Sequence, residues 1–182
     1  MLKFNNRQEL DLARLAYQNA MAAETRRILV CGETGCVSIG SLDVFEELKR
    51  IMEERNIPVS VEISEDPENI GKEKVGLKKC SCHGICERGP LIRIEPEGWL
   101  YTKVQVSDCE EIVEKTILKG EIIERLLFTQ DGETYARRDD IPFFKKQKMV
   151  VRELAGKMDS TSIKEYIANG GYIAFEKALF DM

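Results

Sequence analysis

The chain has 182 residues, of which 43% are hydrophobic and 32% charged, enough for one domain-sized core and a short appendage but not for two full domains. Its 27 basic and 32 acidic residues leave a net charge of -5, so there is no basic field for a phosphate backbone and nucleic acid is not an expected partner. A single histidine, His83, stands among six cysteines; that count excludes a two-histidine Rieske centre, an HExxH zinc site and any multi-histidine iron site.

Polar side chains break every apolar run in MLKFNNRQELDLARLAYQNAMAAE, so no secretory core can be drawn, and nowhere is there a stretch long enough to span a bilayer. A cytoplasmic setting is expected. In that reducing compartment cysteines read as metal ligands, redox groups or buried small residues rather than disulfides. From Gln8 to about Glu24, Leu10, Leu12, Leu15, Ala16 and Ala20 recur mostly at helical steps and predict an amphipathic helix. Ile28 to Val30 reads as a short buried strand ending at a glycine. Ser41 is expected to cap a helix whose apolar face is Leu42, Phe45, Leu48, Ile51 and Met52. After Pro58, Val59, Val61 and Ile63 alternate with Ser60, Glu62 and Ser64, the period of a half-buried strand, before the polar loop EDPENIGKEK.

VGLKK runs into the cysteine-rich CSCHGICERGP, and LIRIEP with WLYTKVQV reads as a hairpin across Glu97 and Gly98. Ser107 and Asp108 are expected to cap a further helix, CEEIVEKTILKG, that stops at Gly120. The element order predicts an α/β fold of thioredoxin-like arrangement over residues 1–128. The polar stretch TQDGETYARRDDI, 129–141, reads as a linker. Residues 142–182 form a tail too small to own a core; Ser162 and Glu165 predict a capping box, and Gly170 and Gly171 split its last helical stretch. The basic run Arg137, Arg138, Lys145, Lys146, Lys148 and Arg152 reads as a solvated face, and Trp99, Phe143 and Phe144 as core or contact residues.

The chemistry lies in the cysteines. Cys31 and Cys36 bracket GETG at the end of a strand, and Cys82 and Cys86 bracket HGI before Gly89 and Pro90. Two such pairs can face each other across one end of a sheet and hold one metal centre. Gly32, Gly35 and Gly84 lie inside the brackets, where backbone N–H groups must turn toward sulfur. Zinc more often takes C-x2-C pairs. The wider loops suit a cluster of two irons, with a zinc-stabilised interaction module on the same thiols as the alternative. Cys80 is a spare candidate ligand, since in an extended backbone its thiol points the same way as that of Cys82. Cys109 reads as packing. His83 is either a donor to a cluster sulfur or a solvent-facing loop residue. There is no C-x-x-C dithiol, P-loop or GxGxxG fingerprint.

CGETGC, CSCHGICERGPLIRIEPEGWLYTKV, IPFFKKQ and IKEYIANGGYIAFEKAL resemble the start of the flavin-bearing, NADH-oxidising subunits of multisubunit [FeFe]-hydrogenases, NADP-reducing hydrogenases and formate dehydrogenases. Those subunits are cousins of the NADH-binding subunit of respiratory complex I. The resemblance spans nearly the whole chain. It implies a thioredoxin-like [2Fe-2S] ferredoxin domain with Cys31, Cys36, Cys82 and Cys86 as ligands, followed by the start of a flavoprotein domain. In the family pattern FMN, NAD(P) and a [4Fe-4S] cluster belong to the part beyond Met182, so this chain is not expected to be catalytic alone. The expected work is one-electron transfer at low potential, on the order of -400 mV. The expected partners are the remainder of the flavin subunit or a flavin-bearing protein, other iron–sulfur subunits, and soluble ferredoxin.

Overall fold

A computed structural model describes residues 4–63 and 73–182. Most of the loop EDPENIGKEK and Ser64, the last position of the alternating strand pattern, lie outside the described residues. The elements in chain order are α1 (Arg7–Ala22), β1 (Glu24–Cys31), the short α2 (Thr34–Val37), α3 (Ser41–Glu54), β2 (Val59–Ser60), β3 (Lys74–Cys80), β4 (Ile92–Glu95) and β5 (Trp99–Tyr101). They continue with α4 (Cys109–Glu111), β6 (Phe128–Gln130), β7 (Glu133–Tyr135), α5 (Pro142–Lys145), α6 (Ile163–Ala168) and α7 (Ile173–Phe180). The main sheet has the order β2-β3-β1-β4-β5. Strand β1 runs parallel to β3, with Cys31 opposite Cys80, and antiparallel to β4, with Ile28 opposite Ile94. A parallel βαβ unit joined to an antiparallel hairpin and a following helix is the thioredoxin-like arrangement.

Strand β1 is central because Ile28, Leu29 and Val30 form an uninterrupted apolar run, which a strand covered on both faces requires. Alternate residues serve different layers. Ile28 and Val30 pack with Val44, Leu48 and Met52 of α3 and with Ile112 and Val113, whereas Leu29 and Cys31 pack with Leu91, Leu100, Phe128, Ile141 and Phe144. The β1 alternation therefore sends Cys31 to the face that the C-terminal third of the chain covers.

Several local expectations are corrected. The N-cap of α3 is Gly40, at φ 93°, with no side-chain cap; Ser41 is already inside the helix. Val61 and Ile63 do not continue β2, which ends at Ser60, although Ile63 is buried against α1 and α6. The helix expected from Cys109 is irregular: after a 3-10 turn at Val106–Asp108 and the short α4, it widens into a π-helical stretch, Ile112–Leu118. Asp108 does cap, but by accepting from the Gln105 N–H at 2.8 Å. Residues 129–141 are not free chain. They contribute to the β6–β7 hairpin, and Leu100 N–H donates to the Ala136 carbonyl at 2.8 Å along the outer edge of β5.

In the tail, Ser162 accepts from Glu165 N–H as expected, but the Glu165 carboxylate does not return to Ser162. It is buried, accepting from Arg27 at 3.1 Å and from Asp159 N–H at 3.0 Å. Arg27 in turn contacts Glu24, which pairs with the buried Lys78 at 3.0 Å. This ionic chain ties α6 to β1 and β3. Ile167 and Ala168 pack on Tyr17 of α1, while Tyr172, Phe175, Leu179 and Phe180 remain exposed. No helix among the described residues is long and apolar enough to cross a membrane.

Candidate metal centre

The two cysteine pairs meet at one end of the sheet. Cys31 ends β1 and Cys36 lies in α2; both are buried and pack in one cluster. The Cys82 and Cys86 sulfurs lie 3.4 Å apart on the opposing loop, Cys82 half-buried and Cys86 exposed. The loops are in van der Waals contact. A Cβ added at Gly35 would sit 3.3 Å from the Cys86 Cβ, and one at Gly89 would sit 2.9 Å from the Cys36 sulfur. Glycine at both positions is what lets the two brackets approach this closely. Gly84, at φ 87°, turns its N–H onto the Cys82 sulfur at 3.2 Å. That is one of the backbone-to-sulfur bonds expected from the glycine placement.

Burial and mutual proximity favour the protonated thiol at Cys31, Cys36 and Cys86. Burial pushes the Cys31 thiol up to about 12, and burial also raises Cys36, with the charges of Cys86 and Cys82 adding to it. Cys86 is raised first by the Cys82 thiol bonded to it and then by burial. Anionic sulfurs gathered this closely need a cationic centre among them, and binding one releases the protons. The donor set is all sulfur and is arranged as two pairs. Four thiols in facing pairs, with inward backbone donors, fit an iron–sulfur cluster.

Of the other candidates, Cys80 lies near the pairs, in the same buried cluster as Cys31 and Cys36. Cys80 ends β3 beside Cys31, but its thiol is directed at His83 Nε2, 3.4 Å away, and is raised well above its ordinary range by burial. The strand ends at Cys80, so the extended backbone from which a common direction with Cys82 is expected stops there. Cys109 is in the core against the Val44 carbonyl, as expected of packing. His83 is neither solvent-facing nor bonded to an expected ligand. It is fully buried, its pKa driven down to about 3 by burial and then by Arg93 and Arg138.

Sequence reasoning missed the residues that hold the Cys82–Cys86 loop from the tail side. Arg138 Nε donates to the His83 carbonyl at 2.8 Å while its guanidinium stacks 3.9 Å over Phe144. Arg152 donates to the Cys82 carbonyl at 3.3 Å, and Gly156 N–H to Ser81 Oγ at 3.0 Å. These arginines belonged to a run that looked solvated, and only the approach of distant chain segments gives them partners.

Fold and site together define a thioredoxin-like α/β domain carrying four convergent thiols. No protein-family model matches the chain. It is 33% identical over 91 residues to a 2Fe-2S ferredoxin of Clostridium pasteurianum, an alignment covering 50% of this chain and 76% of that protein. A 2Fe-2S ferredoxin of Aquifex aeolicus is 28% identical over 116 residues, 59% of this chain and 93% of the relative. The crystal structure of a thioredoxin-like [2Fe-2S] ferredoxin from Aquifex aeolicus aligns at 28% identity with a TM-score of 0.42, covering 59% of this chain and 99% of that one. The chain belongs to the [2Fe-2S] ferredoxins, whose function is electron transfer.

Proposed function

We propose that Cys31, Cys36, Cys82 and Cys86 hold the [2Fe-2S] cluster and that the chain is the one-electron module of an NAD(P)H-linked multisubunit oxidoreductase of hydrogenase or formate dehydrogenase type. The convergence of the two thiol pairs carries the ligand assignment. The parent complex is supported by IPFFKKQ and IKEYIANGGYIAFEKAL, which lie in the tail and resemble the flavin subunits of those enzymes. When bound, the cluster supplies a one-electron couple that needs no acid, base or nucleophile.

The protein's own residues do the rest. Cys31 and Cys36, with Leu91, Leu100 and Ile85 around them, keep water from one side of the centre. Gly84 N–H stabilises negative charge on the Cys82 sulfur. Cys86 and Cys82 give the centre its exposed side, where an electron enters or leaves. The partners are a flavin-bearing domain or protein, further iron–sulfur subunits and soluble ferredoxin. A redox titration of the purified protein tests the reading: the midpoint should lie on the order of -400 mV, within reach of a nicotinamide-linked flavin. A midpoint above about -150 mV, in the range of histidine-ligated centres, would remove the NAD(P)H-linked role.

A further inference from the structure

The exposed side of the thiol set is bordered by one segment of the tail. Phe144 packs beside Gly84, and Arg152 holds the Cys82 carbonyl, so residues 145–151 are pinned at both ends against the loop that carries Cys82 and Cys86. Four of the chain's 27 basic residues, Lys145, Lys146, Lys148 and Arg152, and none of its 32 acidic ones fall between Pro142 and Arg152. All four are exposed. None makes an ion pair with another described residue, whereas Arg26, Arg50, Arg55 and Arg125 each do. Phe143, Val150 and Val151, 65%, 72% and 97% exposed, stand among them. The opposing charges are Glu153, exposed directly after Arg152, the exposed Asp139 and Asp140 before Pro142, and Glu33 and Glu87 next to the cysteines.

We propose that this strip, Lys145, Lys146, Lys148 and Arg152 with Phe143, Val150 and Val151, is the docking surface for an electron-transfer protein whose contact face is acidic. Unpaired cations interspersed with exposed apolar side chains combine long-range steering with short-range contact. Their attachment to the loop of the exposed cysteines places the steering field where the electron crosses. Four cations on a chain of net charge -5 are too few for a nucleic-acid track. The inference rests on the assignment of Cys82 and Cys86 as cluster ligands.

Stopped-flow oxidation of the dithionite-reduced holoprotein tests it. Each molecule of a cobalt(III) complex takes one electron from the reduced protein and leaves as cobalt(II). The trianion tris(oxalato)cobaltate(III) should react fastest at low salt and slow as salt is added, despite the protein's negative charge. The trication hexaamminecobalt(III), attracted by the net charge of -5, should gain rather than lose rate in the strip variant below. The triple variant Lys145→Glu, Lys146→Glu, Lys148→Glu should keep its visible spectrum, lose about tenfold in the trianion rate at low salt and reverse the salt dependence. The triple variant Lys49→Glu, Lys119→Glu, Lys177→Glu changes net charge equally, away from the strip, and should lose far less. An acidic plant-type two-iron ferredoxin used as oxidant should follow the trianion. The proposal is overturned if the trianion accelerates with salt, if the two triple variants behave alike, or if the acidic ferredoxin ignores the strip variant. A chain with no cluster absorbance would instead sink the ligand assignment, and this docking surface with it.

Discussion

Replacing Gly156 by alanine should loosen the tail from the cysteine loop. Gly156 has φ 74°, a conformation that costs an alanine about 1–2 kcal/mol. Its added Cβ would also fall 2.3 Å from Nδ1 and 2.5 Å from Cε1 of His83. That ring is fully buried and cannot swing aside, so overpacking should add about 1–3 kcal/mol. Gly132 provides the matched control: its φ is 83°, but nothing lies within 4 Å of the added Cβ. Both substitutions carry the backbone cost and only one carries the collision. Thermal unfolding should therefore place Gly156→Ala below Gly132→Ala by roughly 2–12 °C, taking about 2–4 °C per kcal/mol for a chain of this size. Gly156→Ala should also bleach faster on dilution into chelator, because the Cys82 loop loses its cover. Equal melting and equal bleaching of the two variants would refute the contact between the tail and His83.

Glu165→Ala should leave the mostly buried Arg27 with Glu24 as its remaining carboxylate partner and Asp159 N–H without its acceptor, at a cost of about 1–3 kcal/mol, read as a fall in the denaturant midpoint. An unchanged midpoint would mean that α6 is not tied to the sheet. Serine at Cys31, Cys36, Cys82 or Cys86 should each abolish or strongly weaken the visible absorption. Cys109→Ser should keep the spectrum while losing about 1–3 kcal/mol of stability, since it places a hydroxyl in the core. Cys80→Ser should also keep it; bleaching there with retention in Cys82→Ser would reverse the assignment. With no dinucleotide or phosphate-binding glycine loop in its sequence, the isolated chain should not reduce dyes with NADH or NADPH, and FMN copurifying with such activity would contradict this.

Much of the fold was legible because periodic burial writes itself into sequence. The α1 and α3 stripes, the apolar run of β1 and the β4–β5 hairpin all follow from one-face or two-face burial. The paired cysteines with their inner glycines were legible for a chemical reason: few other roles demand thiols and glycines at that spacing. What stayed hidden depends on long-range approach. Thr129, Gln130, Glu133 and Thr134 are exposed and carry no alternation, so the β6–β7 hairpin has no signature of its own; its flanking chain is fixed by the edge of β5. Ser41 looked like a cap because the left-handed Gly40 before it cannot be inferred from residue type alone. His83 and Arg138 are buried only because residues 138–158 fold back over the cysteine loop, a contact between segments more than fifty residues apart.

Iron and acid-labile sulfide analysis of anaerobically purified protein, joined to electron paramagnetic resonance after reduction, bears most directly on the central assignment. A red-brown protein with about two irons and two sulfides per chain, and the signal of a reduced [2Fe-2S] centre, is the expected result. A colourless protein holding stoichiometric zinc on the same thiols would contradict it.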